Sequence, residues 1–245
     1  VKKWVKNIKW SDIRILLLCL VLLFIYSFTN KRNDSRVITD IEVLFKGGEE
    51  HFVTAEEVRD LVKNNFPKIS EINRTVLDLN NLEKGVLNND LIKDADVYLT
   101  VDGRLFVDVW QKKAIGRIIE DSKNYYLDEY GQRMPLSIHY SDRVPMVQGK
   151  VNQSNEKDLK EMLELINEDE FLRKDITGII VESDRSLKLM SRTNNFDIQF
   201  GGFDEKEKKL KNYKAFVQYM VNENIEQNKY KVVNLKFTQQ VICTK

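Results

Sequence analysis

Histidine, cysteine and proline are scarce in this chain, with 2 His, 2 Cys and 3 Pro among 245 residues. The two histidines, His51 and His139, stand alone, with no His-x-x-x-His spacing and no cysteine pair beside them, so no metal-ligand pattern is present. Cys19 lies in an apolar run near the start and Cys243 near the end. One in lipid and one in a folded domain could not pair, so there is no disulfide framework. With only 10 Gly, the chain is neither collagen-like nor low-complexity. No internal repeat points to a solenoid. There is no G-x-S-x-G elbow and no P-loop. The 39 basic and 38 acidic residues leave a formal net charge of +1, which gives nucleic acid no global hold. No catalytic, cofactor-binding or small-molecule site is legible, and binding is expected in place of catalysis.

What is present begins with an apolar run. Residues 15–25 read I-L-L-L-C-L-V-L-L-F-I. Adding Ile13 and residues 26–28 gives roughly 16 residues, short of the ~20 that usually span a bilayer. Trp4 and Trp10 suit the interface, and Arg14 can extend its charge toward headgroups. A cleaved signal peptide shares the basic start and apolar core, but Ser27-Phe28-Thr29-Asn30 is a poor small-residue cleavage site. A buried globular helix would carry a polar face, which this run lacks. Lys2, Lys3, Lys6, Lys9 and Arg14 precede the run, against Lys31, Arg32 and Arg36 after it. The expectation is a cytoplasmic tail over 1–12, an uncleaved transmembrane anchor over 13–29, a linker over 30–36, and the remainder outside the cytoplasmic membrane.

Two modules follow. Residues 37–45 alternate as a strand through Ile41, Val43 and Phe45. Thr54-Ala55-Glu56-Glu57 forms a capping box ahead of a helix whose stripe is Val58, Leu61 and Val62. Asn80 with Glu83 marks a second cap, with Leu82, Val86 and Leu87 on one face. Residues 97–101 and 104–110 alternate around Asp102-Gly103, the signature of a hairpin with a tight type I′ turn. Two helices can cover one face of such a three-stranded sheet. The order and size resemble a POTRA domain, over 37–113, a module that binds polypeptide near bacterial membranes.

The second module, 114–245, starts with a strand entering a turn at residues 125–131 and an extended segment at 144–149. Leu159, Met162, Leu163 and Ile166 mark an amphipathic helix. Strands are expected over 176–182, 187–191 and 196–200. Asp204 is placed to cap a long helix carrying Leu210, Tyr213, Phe216, Val217 and Met220. Residues 230–243 read as a final strand. The fold class is α+β: one transmembrane helix, a small POTRA-like domain, and a mixed α+β domain with a C-terminal β-sheet.

Several local sequences carry a further resemblance. Gln111-Lys112-Lys113-Ala114-Ile115-Gly116-Arg117 is similar to a basic junction after a POTRA hairpin. Residues 125–131 resemble a tyrosine-to-Asp-x-x-Gly hairpin, and residues 144–149 an L-P-x-x-x-G segment. Phe200-Gly201 with Lys209-Leu210 is similar to an L-G turn before a helix carrying K-L. Val233-Asn234-Leu235-Lys236-Phe237 resembles V-D-L-R-[FY], with Asn for Asp and Lys for Arg. Together they resemble the FtsQ/DivIB family of bitopic bacterial division proteins across nearly the whole chain. The resemblance implies a non-catalytic scaffold at the division septum that binds FtsB- and FtsL-like membrane proteins and helps regulate septal peptidoglycan synthesis. It also implies recruitment through the POTRA domain and pairing of the last strand with a segment of FtsB.

If residues 235–243 form an edge strand, a partner strand can add to its unpaired backbone groups. The partner-binding residues are then Leu235, Lys236, Phe237, Gln239, Gln240, Val241, Ile242 and Cys243. Past Lys236 the stretch lacks the charges that usually blunt an edge, and Lys236 could meet a partner carboxylate. The alternative is an ordinary strand with Cys243 as a small buried hydrophobe. Glu168-Asp169-Glu170 could supply paired carboxylates but reads as a solvated charge run. Lys206, Lys208, Lys209, Lys211 and Lys214 read as a solvated helix face beside Asp204, Glu205 and Glu207. Gly201-Gly202 could invite an anion to a helix N-terminus, yet the adjacent acids favour a plain turn. Two other function classes stay open: a membrane-anchored POTRA-type chaperone or translocation factor, and a cell-wall enzyme whose groups converge only on folding.

Overall fold

The computed structural model describes residues 10–34, 38, 40–48, 52–67, 77–120, 123–149, 151 and 154–245. Residues 1–9, His51 and the end of the expected linker lie outside them.

The chain opens with helix α1, Trp10–Asp34, 25 residues long. The described side chains from Ile13 to Thr29 are all exposed. Among the described residues no helix is long and apolar enough to cross a membrane. The segment expected to span, 13–29, lies within α1, and its apolar stretch is short. The uncharged stretch 15–30 rises about 24 Å at 1.5 Å per residue, against a hydrocarbon core of about 30 Å.

The rest of the chain contributes to two compact units. The first holds β1 (Asp40–Phe45), α2 (Ala55–Asn65), α3 (Leu79–Leu87), most of β2 (Ile92–Leu99) and β3 (Arg104–Gln111) up to Trp110. Its three strands run in the order β1-β3-β2, with β1 parallel to β3. Helix α2 starts immediately after Thr54, with Glu56 and Glu57 in its first turn, where carboxylates complement the helix dipole. Val58, Val62, Leu82 and Val86 are buried from the helix side, and Leu105, Val107 and Val109 from the sheet. Helix α3 is capped by Asp78, whose carboxylate accepts from the Asn81 N–H at 3.1 Å, two residues before the expected Asn80. The hairpin turn also differs from expectation. Type I′ needs positive φ at both central residues, and only Gly103 has it, at 96°. Gly103 N–H donates to Thr100 C=O and Thr100 N–H to Arg104 C=O, a three-residue loop with the glycine at its bulge.

The second unit is built on a nine-stranded sheet. Its elements are β4 (Ala114–Glu120), β5 (Lys123–Asp128), β6 (Arg133–Met134), β7 (Met146–Gly149), α4 (Glu156–Glu168), α5 (Glu170–Asp175), β8 (Ile176–Val181), β9 (Leu187–Ser191), β10 (Asp197–Gly201), α6 (Lys206–Asn222), β11 (Val232–Asn234) and β12 (Ile242–Thr244). The sheet order is β12-β11-β10-β9-β8-β7-β4-β5-β6. Residues 52–54 and Asp90–Lys93 group with this unit.

Register explains the core. Ile118, Val147, Ile179, Leu189, Ile198 and Val233 are cross-strand partners in succession, one row across six strands, and Cys243 continues it on the seventh. The six are at most 3% exposed. Leu159, Met162, Leu163 and Ile166 of α4, with Leu210, Tyr213, Val217 and Met220 of α6, belong to the same cluster. The Asp-x-x-Gly sequence also has a physical role. Asp128 Oδ1 accepts from Tyr130 N–H at 2.9 Å and Gln132 N–H at 2.7 Å, and Gly131 takes φ 79° to let the chain reverse.

One buried polar network ties α5, β9 and α6 together. Asp175, 4% exposed, receives the Tyr213 hydroxyl at 2.5 Å, the Ser191 hydroxyl at 2.8 Å and the Thr193 hydroxyl. Burial, then the Asp175 contact, pushes the Tyr213 phenol well above the ordinary tyrosine range.

Candidate partner-binding edge

The sheet ends where α6 returns the chain to lay β11 parallel to β10, and β12 folds back antiparallel to β11. The register pairs Val232 with Thr244, Val233 with Cys243 and Asn234 with Ile242. Beyond β12 no further described strand pairs.

This corrects the single strand expected over 235–243. Leu235 is fully buried, and its N–H donates to Gln199 C=O at 2.8 Å, so it follows β11 bonded toward β10 and does not belong to the edge. Residues 236–241 form the loop between the two strands. Lys236 N–H is held by the Asn234 side-chain oxygen at 3.0 Å, and Thr238 C=O accepts from Asn212 Nδ2 of α6 at 2.9 Å. Gly201, at φ 83°, clears room for Lys236: a Cβ there would come within 2.9 Å of the lysine Cγ. Gln239 and Gln240 are exposed, and Phe237 is 52% exposed. Alternation then decides direction. Val241 and Cys243 pack against the core, while Ile242 stands 41% exposed. Burial pushes the Cys243 thiol up, which makes it a packing group and a poor nucleophile.

The paired edge is thus three residues long, against nine expected. A strand laid beside it could make about two or three backbone hydrogen bonds, each contributing about 0.5–1.5 kcal/mol. Micromolar binding needs about 8 kcal/mol, so backbone pairing alone is too weak. Burying Phe237 and Ile242 side chains would add about 1.5–3 kcal/mol each.

The other groups singled out by sequence are accounted for differently. Asp169 caps α5 through Phe171 N–H and Leu172 N–H and pairs with Lys214 at 2.6 Å, while Glu170 pairs with Lys174 at 2.6 Å. Their partners hold both carboxyls below the ordinary range. The lysines of α6 are neutralised one by one. Lys206 bridges Asp158 and Glu161, Lys208 meets Glu205, Lys211 meets Glu207, and Lys214 meets Asp169. Lys209 is 1% exposed, bonded to Gly202 C=O at 3.0 Å and Asp204 at 2.9 Å. It fills the turn that an anion would need, and it draws Asp204 away from the expected capping role. The residue at the cap is Glu205, at φ 47° with no side-chain cap bond. His139 is exposed, and its N–H donates to the Ser137 hydroxyl. Among the described residues no group of three or more His, Cys, Asp or Glu could hold a metal ion.

Comparison with known proteins gives three findings. Residues 113–244 match the family described as FtsQ/DivIB, C-terminal related, and residues 36–110 match the POTRA-like domain. No curated protein matches the chain. Among solved structures, the major extracytoplasmic domain of the trans isomer of the bacterial cell division protein DivIB from Geobacillus stearothermophilus is similar at TM-score 0.35 and 12% identity, over 47% of this chain and 98% of that one.

Proposed function

Because the chain belongs to the FtsQ/DivIB family, with a POTRA-like domain ahead of the family's C-terminal domain, we propose that it is a non-catalytic cell-division scaffold, held at the cytoplasmic membrane and acting at the septum. It recruits FtsB- or FtsL-like membrane partners and through them helps regulate septal peptidoglycan synthesis. The observation that carries this reading is the outer edge of β12, with Phe237 and Ile242 exposed beside it. The partner lays a short extended segment along β12 and buries those two side chains. The eight residues Leu235, Lys236, Phe237, Gln239, Gln240, Val241, Ile242 and Cys243 divide their roles. Leu235, Val241 and Cys243 fix the edge to the core, Ile242 and Phe237 make contact, and Lys236, Gln239 and Gln240 form a polar rim.

Membrane attachment is assigned to α1. Its described side chains from Ile13 to Thr29 are exposed all round, and apart from Arg14 they carry no charge. Such a helix is unfavourable in water, and a bilayer with interfacial Trp10 and Arg14 would cover it.

In-cell photocrosslinking of the full chain tests the reading. A photoreactive residue at Phe237 or Ile242 is expected to capture a small single-pass division protein, while one at Glu168 does not. Ile242→Lys, which puts a charge where the partner would bury an apolar side chain, is expected to reduce that crosslink from Phe237 at least tenfold without loss of the folded protein. Equal capture from Glu168, or none from the edge with septal localisation intact, overturns the edge reading.

A further inference from the structure

The three-stranded sheet of the first unit has a second face, opposite Leu105, Val107 and Val109. Strand alternation places Phe106, Asp108 and Trp110 of β3 on it, beside Leu44 of β1 and Tyr98 of β2. Leu44 is 41% and Tyr98 37% exposed. The Tyr98 and Phe106 rings are stacked, 5.4 Å apart with 5° between their planes. The Arg104 guanidinium lies 5.8 Å from the Phe106 ring and is held there by Glu42 at 2.7 Å and Asp102 at 2.8 Å. This is a rigid aromatic platform, the kind of surface that loses little entropy when a partner covers it.

Asp108 sits next to that platform. It is 8% exposed, its Oδ2 is 3.0 Å from Lys46 Nζ, and its Oδ1 is buried without a hydrogen-bond partner among the described residues. Asp94 and Asp96 project from β2 on the same face, exposed and without an ion pair among the described residues. With Glu42, Asp102 and Asp108 they make five carboxylates against two cations, Lys46 and Arg104.

We propose that this face docks a basic segment of a partner protein, in which an arginine or lysine flanked by apolar residues meets Asp96 beside the Asp108–Lys46 pair while its neighbours cover Phe106 and Tyr98. A guanidinium suits the site because its planar fork can serve a carboxylate and stack on an aromatic ring together. An anionic lipid surface or nucleic acid meets the wrong sign here, and a second copy of the chain would set like charge against like. The proposal is independent of the β12 edge, which belongs to the other unit.

The test uses the full chain in non-ionic detergent and a labelled synthetic peptide, (Arg-Leu)4, carrying a benzophenone, with (Glu-Leu)4 as control. The basic peptide is expected to bind saturably, to weaken as salt rises, and to crosslink to β2 and β3 residues. Asp96→Lys and Asp108→Asn are each expected to lower its affinity tenfold or more, and Glu168→Lys in the other unit to leave it unchanged. Asp96 is exposed, so Asp96→Lys keeps the test readable if Asp108→Asn does not fold. Unaltered affinity in Asp96→Lys, equal binding of the acidic peptide, or crosslinks confined to the other unit would overturn the proposal.

Discussion

Gly149→Ala is expected to lower the melting temperature of the second unit by roughly 10 °C, the largest effect of any single-methyl addition proposed for this chain. Gly149 ends β7 beside Val181 of β8 and holds φ at 108°, a region that L-residues rarely adopt. A Cβ there would stand 2.2 Å from the Val181 carbonyl oxygen. That oxygen is backbone inside a paired strand and cannot turn aside as a side chain could. Backbone strain costs about 1–3 kcal/mol and the forced shift about 1–3 more. For a unit of this size each kcal/mol moves the midpoint by about 2–4 °C. Gly131→Ala, in the same unit, is the matched control: it has φ 79°, and the added carbon meets only the flexible Lys160 side chain, 3.1 Å from its Cδ. Strain alone predicts equal losses from the two variants. A loss about twice as large at Gly149, read by thermal denaturation, identifies the carbonyl clash, and near-equal losses would show that β7 and β8 can separate cheaply.

Asp175→Ala is expected to destabilise the same unit by about 3 kcal/mol, because it removes one acceptor from three hydroxyls at once, those of buried Tyr213, half-buried Ser191 and exposed Thr193. Tyr213 is fully buried, and no water can replace the carboxylate it donates to. Each abandoned donor costs about 1–3 kcal/mol, partly relieved where Ser191 and Thr193 can turn toward solvent. Tyr213→Phe removes only one donor and leaves Asp175 with Ser191 and Thr193, so a loss of about 1 kcal/mol is expected. The network also fixes an alkaline limit. The folded-state pKa of Tyr213 is raised, so its contribution is complete below the unfolded tyrosine value of about 10 and is lost as pH rises above it. Urea midpoints between pH 8 and 11 should therefore fall less steeply in Tyr213→Phe than in the parent chain. Identical slopes would mean that the phenol is not desolvated.

Periodicity explains what was legible in the sequence. The stripes Val58/Val62 and Leu159/Met162/Leu163/Ile166 are buried as spacing demands, because a helix that packs on one side must repeat its apolar residues every three or four positions. Strands β8 and β9 were legible for the same reason at period two. Where contacts come from afar, local pattern gave no warning. Asp204 has the composition of a cap, yet a lysine five residues on claims it. Residues 230–243 are uniformly strand-like, and the break at Leu235 depends on Gln199, 36 residues upstream, taking its N–H. Strand β4 was hidden inside a basic junction, since Lys112 and Lys113 dominate its start while Ile115 and Ile118 are the residues that are buried. The platform of Tyr98, Phe106 and Asp108 had no sequence signal beyond the hairpin that carries it.

The row of apolar partners that crosses the sheet closes on Cys243, whose strand is paired on one side only and through three residues. Such a strand sits at the low end of the ladder of local opening free energies. Its amide hydrogens should exchange with solvent long before those of β8, which is paired on both sides. The edge would then spend a measurable fraction of time detached, and a partner that pairs with it would be stabilising the attached state as well as filling an empty place. Slowed exchange at residues 242–244 on complex formation would report both events in a single number.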